Sequence, residues 1–258
     1  MGQGSKCRIR NRMALLRTIS IIFIITLCYS CNKDNGSGCV TRVGDIVTEE
    51  RSFTEAFNTL DIRDNARVII KEGPEYKAIV RGGANLMESY TTTVEGYKLV
   101  IENKTVCQWL RDQNTPFEVY ITMPQIDSIL FSGYGDISSD GVLEVDTFLF
   151  DSKNAVGNVD ITFSGNYLKL IQHTGATNIH FTGSFDYAYV YSTSYSIIDL
   201  SKLSLNDAFL TNEGTGDFKV SCADYMKVKI DLTGNIYYDQ DPEIFVESHL
   251  GSGQLIHY

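Results

Sequence analysis

Proline is scarce, with four in 258 residues, and there is a single tryptophan. No stretch beyond the first thirty residues carries a firm 3.6-residue apolar period; residues 51–60 are the best helix candidate. That absence excludes a helical bundle and a sheet crossed by helices. Outside the leader there is no Cys-x-x-Cys pair, which removes the common thiolate zinc site. The four histidines, His173, His180, His249 and His257, form no His-Glu-x-x-His pattern; only His173 and His180 flank one turn and could approach each other. No Gly-x-Ser-x-Gly elbow occurs, since Gly251-Ser252-Gly253 lacks the outer spacing. Gly82-Gly83 has no strand–turn–helix context and is no phosphate loop. Cations are outnumbered, 22 Lys and Arg against 32 Asp and Glu, and no basic patch is interleaved with aromatics. A nucleic-acid partner is therefore not expected.

The start of the chain has a recognisable order. Lys6, Arg8, Arg10, Arg12 and Arg17 form a positive segment, and residues 19–28 are apolar. The apolar run has the length of a signal-peptide core and is too short for a comfortable membrane span. It ends in Leu27-Cys28-Tyr29-Ser30-Cys31. A cysteine directly after a small residue at this point resembles a bacterial lipoprotein processing site, which assigns lipid attachment to Cys31 and a signal peptide to residues 1–30. An ordinary secretory peptide cut near here is the alternative. Several acyl chains would make the membrane anchor stable. Loss of residues 1–30, with five Lys and Arg and no acids, takes the formal charge from −10 to −15. The polar run Asn32-Lys33-Asp34-Asn35-Gly36-Ser37-Gly38 reads as part of a flexible tether over residues 31–47. Cys39, Cys107 and Cys222 remain; an exported protein can pair Cys39 with Cys107, and Cys222 reads as a buried free thiol.

Glycine is where the sequence is most regular. A glycine-centred turn recurs seven times, with apolar anchors Ile137, Val159, Ile179, Ile197, Phe218, Ile236 and Leu255 spaced by 22, 20, 18, 21, 18 and 19. The position two before each anchor reads Gly135, Gly157, Thr177, Tyr195, Gly216, Gly234 and Gly253. Gly133, Gly175, Gly214 and Gly251 fill the small position two residues further upstream. Immediately before the anchors stand Asp136, Asn158, Asn178, Ser196, Asp217, Asn235 and Gln254. A fixed period means stacked structural repeats. Twenty residues accommodate two or three short strands and their corners but no helix. The expected fold is thus all-β, a parallel β-helix with glycine corners set by positive φ and by close backbone approach. Asn and Asp beside the corner suit the turn and can ladder with their neighbours. They are not expected to hold calcium, because Asp136 and Asp217 are four rungs apart.

Upstream, residues 67–71 and 76–80 flank Glu72-Gly73-Pro74-Glu75, and residues 90–94 and 97–101 flank Glu95-Gly96; both pairs read as hairpins. Residues 117–123 alternate and stop at Pro124. Residues 48–258 are read as one solenoid domain, with a hairpin-rich part over 48–125 that caps the coil and a seven-turn repeat over 126–258. One segment has an adhesive composition: Phe185, Tyr187, Tyr189 and Tyr191 alternate with Asp186, Ala188 and Val190. If Ala188 and Val190 point inward, Tyr187, Tyr189 and Tyr191 form an exposed contact stripe. Counting from the turn anchors aligns Ile171 and Leu210 with Tyr189, which favours the reverse phase, with the rings inward.

The ordered set Thr48-Glu49-Glu50-Arg51-Ser52-Phe53 with Phe57, Val68-Ile69-Ile70-Lys71-Glu72-Gly73, Gly82-Gly83-Ala84-Asn85-Leu86, Tyr120-Ile121-Thr122-Met123-Pro124 and the Ser-Gly-x-Gly-Asp-Ile turns resembles the auto-transporter adhesin family with a head GIN domain, over roughly residues 48–258. The resemblance implies an envelope lipoprotein of Gram-negative anaerobes and a right-handed β-solenoid shaped like pectin lyases but without their catalytic residues. It further implies a role in cell adhesion and assembly as a trimer. The chain departs from the pattern at Thr193-Ser194-Tyr195-Ser196 and Asn154-Ala155-Val156-Gly157, where glycines are lost and the corners should differ. No cofactor, metal or catalytic residue is implied. The expected partners are a membrane through the lipid anchor and an unidentified surface protein or glycan. Outer-membrane location is expected, with the surface and periplasmic faces both open. The alternative functions are a polysaccharide-active enzyme on the same coil and a glycan-binding component of an envelope complex.

Overall fold

The structure, a computed structural model, describes residues 42–105 and 117–258. Cys31, Cys39 and Cys107 lie outside these residues, and so does the Cys39–Cys107 pairing. The chain winds as a β-solenoid of about six turns with rungs of about 20 residues. In the N-terminal part, β1 (Ile46–Ser52), β2 (Thr59–Ile62), β3 (Arg67–Glu72), β4 (Lys77–Gly83), β5 (Tyr90–Glu95), β6 (Lys98–Asn103), β7 (Glu118–Met123) and β8 (Ser128–Phe131) are not stacked in chain order. β2 lies between β6 and β8, parallel to both. β7 pairs β3 in parallel on one side and β4 antiparallel on the other.

The expected hairpin across Gly73-Pro74 therefore does not form; β7 is inserted between β3 and β4. Val119, Ile121 and Met123 of β7 are buried, and the Gly73 amide donates to the Met123 carbonyl at 2.9 Å. A long-range strand with a fully apolar inner face displaces the local partner because it extends the coil. The hairpin across Glu95-Gly96 does form, pairing β5 with β6. No helix spans residues 51–60, which hold the end of β1 and the start of β2; a 3-10 turn at Ala84–Ser89 leads from β4 to β5. The antiparallel edge β1 carries Glu49, Glu50 and Arg51, with Lys77 paired to Glu50 at 2.8 Å. Charge on an edge strand discourages further pairing.

From β9 (Ile137–Ser152) chain order and stacking order coincide through β10 (Ala155–Gln172), β11 (Gly175–Ser192), β12 (Ile198–Asn212), β13 (Phe218–Ile230), β14 (Ile236–Asp239) and β16 (Leu255–His257); β15 (Glu243–His249) pairs β13 beside β14. The register gives the anchor column directly: Ile137, Val159, Ile179, Ile198, Phe218, Ile236 and Leu255. The fourth anchor is thus Ile198, not Ile197. Ile198 is buried, whereas Ile197 is 47% exposed. Ser196 takes the position where most rungs have glycine. The column also reaches one rung further back, to Val68 opposite Ile137.

Two physical constraints shape each corner. The first is proximity of the preceding rung: a Cβ on Gly157 would lie 1.9 Å from the Gly135 carbonyl oxygen, and one on Gly216 would lie 1.9 Å from that of Ser196. Gly157 also adopts φ +147°. The second constraint is satisfaction of the turned backbone. An internal polar column, Ser152, Gln172, Ser192 and Asn212, is buried under the corners. Gln172 Nε2 donates to the Thr177 carbonyl, Asn212 Nδ2 to the Gly216 carbonyl, and the Gly214 amide to Asn212 Oδ1. Where glycine is lost, Ser194 Oγ donates to the Gly175 carbonyl at 2.9 Å, so the variant corner supplies its own bond. Buried backbone groups need such partners. Between corners the core is apolar, with Phe148, Phe150, Phe163, Phe181 and Phe185 in ring contact at 4.5–5.7 Å.

Candidate functional site

Stacked rungs turn one residue pattern into columns. Residues 167–172, 187–192, 207–212 and 225–230 lie side by side in parallel register. Ala188 and Val190 are fully buried, so the alternate positions face outward. Tyr187, Tyr189 and Tyr191 consequently stand on the outer surface, half-buried among one another. Phe185 does not share their face; a corner at Asp186 separates it, and its ring lies in the core. The count that set Ile171 and Leu210 beside Tyr189 is corrected: Tyr189 pairs with Lys169 and Phe209.

Three outward columns result. The first is Tyr167, Tyr187, Asp207 and Tyr225; the second Lys169, Tyr189, Phe209 and Lys227; the third Ile171, Tyr191, Thr211 and Lys229. Tyr167 and Tyr187 stack at 5.4 Å with 6° between ring planes. Tyr189 meets Phe209 edge to face at 5.3 Å, and Lys227 Nζ sits 4.5 Å from the Phe209 ring centre. The Tyr191 hydroxyl donates to Glu213 at 3.1 Å. Burial raises the pKa of Tyr187 and of Tyr191, and in Tyr191 the bond to Glu213 adds to it. The rings are therefore fixed by neighbours before any ligand arrives. A rigid aromatic surface with hydroxyl groups loses little entropy on binding.

Sequence reading missed Tyr167, Phe209, Tyr225 and Lys169. Their signal is the register itself: the spacing of 20 from Val159 to Ile179 sets Tyr167 and Lys169 beside Tyr187 and Tyr189, while Phe209 and Tyr225 fall into line only through register shifts within β12 and β13. Along β10 the side chains of Tyr167, Lys169, Ile171 and His173, with Tyr189 and Tyr191 on the next rung, line an open groove of about 370 Å³.

The remaining candidates fall elsewhere. Gly133, Gly135, Gly157, Gly175, Gly214, Gly216, Gly234, Gly251 and Gly253 form two columns along the glycine corner, each against the backbone of the rung before it. The polar ladder beside them is largely continuous: Asn158 Nδ2 donates to Asp136, Asn235 Nδ2 to Asp217, and the Gln254 amide to Asn235 Oδ1. A second corner carries Asp146 accepting from Asn166 and Asp186 accepting from Asn206. Alternating carboxylate and amide keeps like charges off adjacent rungs. His173 lies 3.6 Å from Asp151 and His180 3.2 Å from Asp160, and the two histidines do not meet. Among the described residues, no group of three or more His, Cys, Asp or Glu is placed to hold a metal ion, and no helix is long and apolar enough to cross a membrane. Cys222 is buried and free; burial, with the charge of Asp207, pushes its thiol up to about 11.

Solved structures share this fold. A "putative adhesin" from Bacteroides fragilis NCTC 9343 matches with TM-score 0.74 at 20% identity, covering 83% of this chain and 97% of that one. A "putative adhesin" from Parabacteroides distasonis ATCC 8503 matches with TM-score 0.61 at 17% identity, over 83% and 98%. A "putative lipid binding protein" from the same strain matches with TM-score 0.59 at 16% identity, over 83% and 97%. No curated protein matches the chain. The model of the family described as "Putative auto-transporter adhesin, head GIN domain" matches residues 56–242, and the chain belongs to that family.

Proposed function

We propose that this protein is a lipid-anchored surface-binding module of a Gram-negative cell envelope, which holds a protein or glycan of another surface and catalyses nothing. The observation that carries the reading is the preset aromatic face of residues 167–172, 187–192, 207–212 and 225–230, in a chain of adhesin family. Solved relatives named as adhesins support it. Three acids beside the lysines of this face are occupied: Glu213 and Asp231 bind Lys229 at 2.6 and 3.0 Å, and Glu247 binds Lys227 at 2.7 Å. That arrangement favours a binding surface over a hydrolase or lyase, which needs carboxyl groups free to exchange protons.

Cys31 supplies the anchor in this reading, and the residues after it the tether, which ends before residue 47 because Ile46 and Val47 pair with β4. Protease shaving of intact cells, followed by mass analysis of the released peptides, tests the location. Peptides from the aromatic face in the shaved fraction are the expected result; their absence from shaved but not from lysed cells would place the protein inside and end the reading. Cys31→Ser is expected to move the protein from the membrane fraction to the soluble one.

A further inference from the structure

We propose that the groove along β10 binds an extended polysaccharide strand that carries carboxylates, a reading that rests on the surface-binding role above. The groove arises from a step in side-chain size. On the β9 side the outward residues are Thr147, Leu149 and Asp151; on the β11 side they are Tyr187, Tyr189 and Tyr191. Between them the row Tyr167, Lys169, Ile171 and His173 forms the floor. Four alternate residues of a strand span about 20 Å, which suits a short run of sugars rather than a single small ion.

The lining has two chemistries. Tyr167, Tyr189 and Tyr191 offer ring surface for the C–H faces of sugars together with hydroxyl groups for their oxygens. Lys169 offers charge. Of the three lysines on this face, Lys227 and Lys229 are held by carboxylates at 2.7 Å and 2.6 Å. Among the described residues no carboxylate lies within ion-pair distance of Lys169, and the nearby Asp151 faces His173 at 3.6 Å. An unpaired ammonium beside an aromatic wall selects an anionic group. The chain as a whole is acidic at −10, so attraction at long range is absent and the preference comes from contact in the groove.

An acidic peptide fits less well. Peptides gain much of their affinity on sheets by adding a strand to an edge. β10 has no free edge, being paired on both sides by β9 and β11. Only side chains are presented, which is what a glycan reads.

The test measures binding of the full-length protein, in detergent micelles, to polygalacturonate and hyaluronan, and to the same polymers with their carboxyl groups reduced to alcohols. Reduction is expected to weaken binding by about tenfold or more. Lys169→Gln should bring the native polymers down to the level of the reduced ones, with an unchanged melting temperature. Tyr189→Ala should weaken native and reduced polymers alike by about tenfold. Lys153→Gln, at an exposed lysine outside the groove, should change neither. Equal binding of native and reduced polymers, an unaltered Lys169→Gln variant, absence of binding to any of the polymers, or equal binding of poly-glutamate would each overturn the proposal. Cell attachment separates it from its premise. If Lys169→Gln cells attach as wild type while deletion cells do not, the groove assignment falls and the surface-binding role stands. If deletion cells attach as wild type, the premise itself falls.

Discussion

In the repeating part, each strand pairs with the one twenty or so residues away, as Leu168 does with Ala188. In the N-terminal part the same coil is closed by distant partners: Thr59 pairs with Lys98 and with Ser128, and Arg67 with Glu118. Both parts bury aliphatic columns of similar depth, with Leu60, Ile62, Leu99 and Ile101 as inaccessible as Leu168, Leu170, Val190 and Leu210. The difference teaches that a coil needs columns, not a sequence repeat. A repeat is written into the chain only where every corner meets the same backbone in the same place. The N-terminal rungs instead close loops of forty to seventy residues, which costs more chain entropy before contact is gained.

The largest test of this contrast is at the corners. Gly157→Val places side-chain atoms where the Gly135 carbonyl already lies 1.9 Å from a bare Cβ, and keeps φ at +147°. A loss of about 4 kcal/mol or more is expected in denaturant unfolding. Gly96, in the β5–β6 hairpin, has φ +64° and open space around it; Gly96→Ala should cost about 1 kcal/mol. Equal costs at the two sites would show that rung proximity is not what demands glycine.

Next in size is the reach of a core defect. Ile101→Ala and Ile236→Ala each empty a fully buried site, at about 2–5 kcal/mol. In a stack with nearest-neighbour coupling, Ile236→Ala should lower amide protection in β13 to β16 and leave β9 and β10 protected. Ile101 lies in β6, which pairs with β2 and β5 at once. Its loss should lower protection across β2, β5 and β8 together. Uniform loss in both variants would mean the two parts do not differ in cooperativity.

These contrasts also explain what could be read in the chain. Gly135, Gly157, Gly216, Gly234 and Gly253 announced the coil because close backbone contact favours the residue without a Cβ at most of these corners. Thr177 and Ser196 broke the pattern, and two adjacent isoleucines then let the anchor slip from Ile198 to Ile197. A register shift after His180 also adds one residue to β12, so even a count from Ile198 sets Tyr189 beside Ala208 instead of Phe209; a slip of one residue exchanges the faces of a strand. The Gly73-Pro74 turn looked like a hairpin because local turn chemistry is visible, while the claim of β7 on both β3 and β4 is made from about forty to fifty residues away. The groove was illegible for the same reason: it is a relation between rungs, and Lys169 stands out only beside Tyr189.

A smaller effect comes from pH. Burial first, and the charge of Asp207 second, raise the Cys222 thiol from 9.0 to about 11, and burial also raises Tyr187 and Tyr191. These groups belong to the repeating part. Below pH 9 the thiol is protonated in both states and stability is level. Between pH 9 and 11 the unfolded chain releases the proton that the folded chain keeps, so stability falls as pH rises, by on the order of 2 kcal/mol from the thiol. Unfolding curves at pH 8 to 11 should show the decline, and Cys222→Ala should make it shallower. A profile of the same slope in both proteins would remove the thiol from the account.

The smallest expected change is a gain. Along the polar ladder, Asp136, Asn158, Asn178, Asp217 and Asn235 offer side-chain oxygens to the next rung, the last of them to the Gln254 amide, and Ile197 alone interrupts the column. The Ile197 amide still donates to Asn178 Oδ1 at 3.3 Å, but its own side chain returns nothing to Asp217 and leaves apolar surface in water. Ile197→Asn restores an acceptor for the Asp217 amide and a donor for Asn178, at a position where no core contact is lost. Stability should rise by about 0.5–1 kcal/mol, read as a higher denaturation midpoint with unchanged slope. If the midpoint falls, the isoleucine is packed in a way its exposure does not suggest, and the ladder is decoration on corners that glycine and the internal Gln172 and Asn212 already fix. If it rises, the repeating part had one repairable fault, at the rung where the corner glycine and the ladder residue are both replaced.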